Sequence, residues 1–152
     1  MSLTFSRARP CKEIFQFSIF AENKVGCLNL VLQRLLQADV HILALSCIDQ
    51  TDCAVLRIVP NYPEAAEIVL KESGMAFSKT PSLAIRLLRA ADLAKVTQAL
   101  AQAEINIHYI YPFVCRPCSE SAIVLACDAP ESAEEILSGF GIEVLCLDDL
   151  AR

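Results

Sequence analysis

Residues 28–42 read LNLVLQRLLQADVHI, and residues 93–107 read LAKVTQALAQAEINI. A shift of 65 residues places Leu28 on Leu93, Val31 on Val96, Leu35 on Leu100, Gln37 on Gln102, Ala38 on Ala103, Val40 on Ile105 and Ile42 on Ile107. An internal repeat constrains a fold more than any single motif, because both copies must solve the same packing problem. The correspondence continues in order along the chain. Ala54, Val55 and Leu56 match Ala122, Ile123 and Val124 at a shift of 68, and Pro63, Glu64 and Gly74 match Pro130, Glu131 and Gly141 at a shift of 67. The shift changes where a hairpin is longer in the second copy. The sequence therefore divides into a tail over residues 1–11, a first unit over 12–79 and a second unit over 80–149.

Each unit reads the same way. Residues 13–20 alternate and are rich in Phe and Ile, which predicts a strand, and residues 82–88 do the same in the second unit. Leu28, Val31, Leu32 and Leu35 fall at i, i+3, i+4 and i+7, an apolar helical stripe that Leu93, Val96 and Leu100 repeat. Residues 40–48 and 54–59 predict a hairpin about the turn 49–52, matched by 105–114 and 121–126 about a turn containing Pro117. Asn61 and Asp128 read as N-caps of a second helix, with Pro63 and Pro130 in the first turn and Glu64 and Glu131 placed to reach back. Gly74 and Gly141 suit the left-handed position that ends it. Short strands at 75–78 and 142–147 complete the units. The resulting fold class is α+β: two ferredoxin-like βαββαβ units in tandem, with antiparallel sheets and the helices on one face. The other sheet face is bare in an isolated unit, so the units are expected to join sheets edge to edge or to pack a helix face on a partner.

Composition narrows the function. Among 152 residues, 55% are hydrophobic and 20% charged, with mean hydropathy +0.45, which excludes a disordered chain. No run approaches the roughly 18 apolar residues of a membrane span. With 13 basic against 18 acidic residues and a pI near 5.0, no cationic stripe is available for phosphates, and nucleic acid is not an expected partner. Residues 1–12 have no apolar signal region, so a cytoplasmic location is expected, with the eight cysteines as thiols rather than a disulfide framework. Nucleotide, phosphate-loop, zinc-protease and serine-hydrolase motifs are missing, and neither an enzyme nor a cofactor is expected. The apolar excess points to surface buried between units, in a homodimer or against a regulated protein partner.

The chemistry concentrates at residues 21–28, AENKVGCL, where a polar loop delivers the chain into the first helix. The first N–H groups of a helix lack intrahelical partners and favour an anion such as a carboxylate. Gly26 permits positive φ, and Asn23 offers a donor and an acceptor. These residues also fit an ordinary turn with Asn23 as its cap. Taken with Phe17 to Leu28 and with Asp39-Val40-His41-Ile42 downstream, the segment resembles an ACT domain, the amino-acid-sensing module of biosynthetic regulation, and Glu104-Ile105-Asn106-Ile107 stands at the equivalent place in the second unit. The family loop often reads Asn-x-Pro-Gly; here Val25 replaces the proline. The resemblance implies a free amino acid between two units, held by Asn23, Val25, Gly26, Cys27 and Leu28 from the loop of one and by Asn106 and Ile107 from the second strand of the other. His108 shares a face with Asn106 on an alternating strand and joins this set.

The second loop departs from the pattern. It has Ala91 where Gly26 stands, lacks asparagine and carries Asp92 at the helix start, where that carboxylate fills the anion position; across from it His41 replaces the strand asparagine. One retained site and one weakened site are expected. Two other readings stay open: a metal or redox module at Cys115 and Cys118, and a purely structural interaction domain.

Overall fold

The computed structural model describes residues 12–115 and 120–150. In the first unit β1 (Ile14–Ala21) leads into α1 (Cys27–Gln37), then the hairpin of β2 (Ile42–Asp49) and β3 (Ala54–Pro60), then α2 (Pro63–Glu72). After β4 (Ala76–Leu87) come α3 (Asp92–Gln102), β5 (Ile107–Pro112), β6 (Ser121–Cys127), α4 (Pro130–Gly139), β7 (Val144–Leu145) and α5 (Leu147–Leu150). Both βαββαβ units are present, and every strand pair is antiparallel.

The two strands expected at 75–78 and 82–88 are one continuous strand of 12 residues, β4. Residues 79 and 80, the expected unit boundary, lie inside it. Its first part pairs with β1 as far as Ser82, and its second part pairs with β6 from Leu83 onward. Pro81 sits beside this change of partner, a position where a strand tolerates proline. The strand order is β2-β3-β1-β4-β6-β5, with β7 paired to β4 alongside the start of β1. There the chain stops as a strand, Leu147 N–H donating to Lys12 O at 3.2 Å, and turns into α5.

The alternation of each strand separates two kinds of core. Phe17, Ile19, Leu56 and Ile58 meet Val31, Leu35, Ala66 and Leu70 of α1 and α2, while Ile85, Ile123 and Leu125 meet Val96, Leu100, Ala133 and Leu137 of α3 and α4. The helix residues are repeat-related pairs. A third cluster joins Ile14, Leu43, Ala44 and Val59 of the first unit to Ala84, Tyr111, Phe113, Ala122, Val124 and Leu145 of the second. The bare faces therefore close on each other. Ala44 bridges Phe113, and Val114 N–H donates to Leu43 O at 2.8 Å, so the two ends of the strand order meet. The units share a strand and bury their own bare faces, an economical outcome when each large aliphatic side chain buried contributes about 1.5–3 kcal/mol. No helix among the described residues is long and apolar enough to cross a membrane.

Helix ends follow one plan. Residues 39, 74, 104 and 141 have positive φ, and the next N–H in each case donates to the carbonyl five residues back, as in Val40 to Leu35 and Met75 to Leu70. Gly74 and Gly141 take the expected left-handed position. The N-cap reading of Asn61 and Asp128 is corrected: Tyr62 and Ala129 stand at the caps, with no side-chain capping bond. Asn61 Oδ1 instead accepts from His41 N–H, and Asp128 Oδ1 from Asn106 N–H. The strand start outcompetes the helix for these short acceptors.

Candidate functional site

The loop between β1 and α1 is organised by the backbone. Lys24 N–H donates to Glu22 O at 2.8 Å, Cys27 N–H to Lys24 O at 3.2 Å, and Leu30 N–H to Gly26 O at 3.0 Å. Gly26 has φ 87°, a left-handed value that a side chain adopts only at a cost. The N-terminus of α1 has no side-chain cap and no acid in its first turn. Asn23 is not its cap, because its Nδ2 donates to Asp49 Oδ1 at 2.6 Å, tying the loop to the end of β2. At the loop mouth Lys24 pairs with Glu22, holding that exposed carboxyl below its ordinary value by hydrogen bond and charge.

A groove of about 810 Å³ runs beside this loop. Phe20, Val25, Leu30, Val31 and Met75 give it an apolar wall, and Asn29 and Gln33 add amides. Of the residues proposed for ligand contact, Val25, Gly26 and Cys27 line it, with Asn23 and Leu28 adjacent in sequence. All its lining comes from residues 20–33 and 74–76. Asn106, Ile107 and His108 lie at the start of β5 and do not line it; Asn106 is held by Asp128, and the exposed His108 ring lies 6.3 Å from that of Tyr109.

The second unit has a cavity at the equivalent place, about 610 Å³, lined by Arg86, Leu88, Arg89, Asp92, Lys95 and residues 140–143. Its character is opposite. Asp92 Oδ2 accepts from Leu88 N–H at 3.2 Å and Arg89 N–H at 3.0 Å, and its Oδ1 lies 3.6 Å from Lys95 Nζ and 3.7 Å from Arg89. The Arg89 N–H bond is the main reason this carboxyl titrates below its ordinary value. Arg86 pairs with Glu120 and, at 2.7 Å, with Glu143. Ala91 has ordinary right-handed φ. Where the first unit has an apolar groove over an uncapped helix, the second has a salted one whose helix start holds its own carboxylate.

Cys118 lies outside the described residues. Cys115 packs against the cluster between the sheets, and burial raises its thiol, as it does that of Cys127, which disfavours the thiolate that metal and redox chemistry use. The described residues contain no group of three or more His, Cys, Asp or Glu placed to hold a metal. Among the described residues five cysteines are free, but Cys146 is disulfide-bonded, which corrects the expectation of thiols throughout.

Sequence reasoning missed the polar residues between the sheets. Gln16, Ser18 and Arg57 are all buried, and Tyr111 donates to Gln16 Oε1 at 2.8 Å. Arg57, a charge in the middle of the apolar strand 54–60, was the available signal.

A family model described as an ACT domain pair matches residues 12–152. Among solved structures, a protein from Bacteroides thetaiotaomicron is 27% identical, with 93% of this chain and 98% of that chain covered and a TM-score of 0.82. The ligand-free regulatory subunit of aspartate kinase from Thermus thermophilus is 14% identical, covering 86% and 93%, with a TM-score of 0.61. That from Thermus flavus is 20% identical over the same shares, with a TM-score of 0.56. No match was found among curated protein sequences.

Proposed function

Because the chain belongs to the family of ACT domain pairs, which are regulatory ligand-binding modules, we propose that it senses a free amino acid at the loop of its first unit. The observation that carries this reading is the contrast between the two repeat-related cavities. An α-carboxylate is welcome at the uncapped start of α1, where Gly26 keeps the backbone open, and the ligand side chain fits against Phe20, Leu30 and Met75. The equivalent position in the second unit already contains the Asp92 carboxylate. Since the groove is lined by the first unit alone, its outer wall is supplied from another unit. Residues 106–108 of a second copy have the polar and apolar groups to supply it.

The response is linkage: a ligand seated across two copies stabilises the assembly that closes around it. This fits a regulatory partner or homodimer role, and the aspartate kinase regulatory subunits above share the fold. Thermal unfolding against a panel of the twenty amino acids tests the reading. One or a few should raise Tm, by roughly 5–10 °C at a hundred times Kd for a chain of this size, with one equivalent bound per chain. Asn23→Ala should weaken that shift. A flat panel, or two equal sites per chain, overturns the proposal.

A further inference from the structure

Arg57 lies in the middle of β3, on the face turned away from the helices, and is only 8% exposed. Its cross-strand neighbours are Ser46 of β2 and Ser18 of β1, and Ser18 is in turn opposite Ser78 of β4, so a polar row crosses the sheet. From the second unit, the Tyr109 ring covers the guanidinium at 3.7 Å. One row inward, the bond from Tyr111 to Gln16 occupies the neighbouring polar groups. Among the described residues no carboxylate forms an ion pair with Arg57, and its buried Nε has no hydrogen-bond partner.

A guanidinium cannot shed its charge. Burying it forfeits hydration, and stacking on the Tyr109 ring, which is itself 37% exposed, returns only part of that loss. The unpartnered Nε leaves that loss open to compensation by an anion. The geometry favours a planar one: with Tyr109 on its face, the guanidinium presents its N–H fork edgewise, the arrangement that matches a carboxylate. Ser18 and Ser46 flank it with hydroxyls that can donate to the same oxygens. The next row outward is Ile48, Val55, Phe20 and Ala76, of which Ile48 and Phe20 are exposed, so the contact between the sheets ends in solvent one row past Arg57. Its opposite end is sealed by Leu43, Phe113, Leu147 and Leu150.

We propose that Arg57, with Ser18 and Ser46, is a binding site for a small carboxylate held between the two sheets, separate from the groove beside the first loop. Its occupant lies at the edge of the Arg57–Tyr109 stack that joins the two units, so binding stabilises their packing.

Thermal unfolding of the full chain in sodium formate and sodium acetate, against sodium chloride at equal ionic strength and pH, tests this. The wild type should gain several degrees in the carboxylate salts, saturating with concentration. Arg57→Met, which keeps the length and removes the charge, should lose that gain, and Asn23→Ala should retain it. A wild type that melts alike in the three salts, or a gain that persists in Arg57→Met, overturns the proposal. If Arg57→Met does not fold, Arg57→Lys keeps the charge without the fork: a reduced gain supports the site, and an unchanged one overturns it.

Discussion

Asn61 and His41 hold each other twice, the His41 N–H donating to Asn61 Oδ1 at 2.9 Å and the Asn61 N–H to His41 O at 3.0 Å. Asp128 and Asn106 repeat the pair in the second unit, at 3.1 and 3.2 Å. The clamp fixes the start of the second strand of each unit to the chain entering its second helix. Asn61→Ala and Asp128→Ala should each cost about 1–2 kcal/mol, because a backbone N–H at a strand start loses its acceptor. Asp128→Asn keeps the acceptor and should cost less than half as much. Urea unfolding of the three variants checks this, and equal losses for Asp128→Ala and Asp128→Asn would refute the role of the hydrogen bond.

The four helices end alike, but their left-handed residues differ: Asp39 and Glu104 after the first helix of each unit, Gly74 and Gly141 after the second. A left-handed L-residue costs about 1–2 kcal/mol, part of which glycine recovers against its greater unfolded freedom. Glu104→Gly should therefore raise stability by about 0.5–1 kcal/mol, roughly 1–4 °C in Tm for a chain of this size. Gly141→Ala should lower stability by about 1 kcal/mol. Open space beside Gly141 removes any steric contribution, so the change isolates the backbone conformation. Calorimetry that shows both variants melting lower would contradict the account.

The Asp92 carboxyl is held below its ordinary value, first by the Arg89 N–H and also by Lys95 and Arg89 charges. The sign follows from the folded state binding its proton more weakly than the unfolded state. The resulting stability is fully present above about pH 4, the ordinary carboxylate range, and is lost as pH falls through the lower folded value. Asp92→Asn removes this titration. Its Tm should fall less than that of the wild type between about pH 5 and pH 2.5, and parallel curves would rule the contribution out.

The repeat made most of the fold legible. Paired stripes such as Val31, Leu35 and Val96, Leu100 identify the helix faces, and the glycines at 74 and 141 mark where the second helices stop. The fused β4 was not legible, since Thr80-Pro81-Ser82 reads locally as a break and only the change of strand partner shows why the strand continues. Nor was the contact between sheets. Gln16, Ser18 and Arg57 alternate with apolar neighbours as a solvated face does, and their burial depends on Tyr109 and Tyr111 arriving from the other unit. At the loop, Gly26, Ala91 and Asp92 announced the difference between the units. The bond from Asn23 to Asp49 spans 26 residues and has no local signature.

The buried bond from Tyr111 to Gln16 joins the two units and gives the sharpest test of how closely they are coupled. Tyr111→Phe removes the hydroxyl and leaves the Gln16 amide oxygen buried without its donor, which should cost about 1–3 kcal/mol. Gln16→Leu alone should also destabilise, since the phenol then loses its acceptor. The double variant Gln16→Leu/Tyr111→Phe buries neither polar group, so it should be more stable than the sum of the single losses predicts, with a coupling of about 1 kcal/mol or more. The phenol adds a pH signature. Burial raises its pKa above the ordinary value, against a smaller opposing effect of Arg57. Its contribution to stability is therefore full below about pH 10 and declines as pH rises above the unfolded value. Tyr111→Phe should show a shallower alkaline loss of stability than the wild type. Additive single losses together with an unchanged alkaline limb would mean that the two sheets pack without this bond contributing.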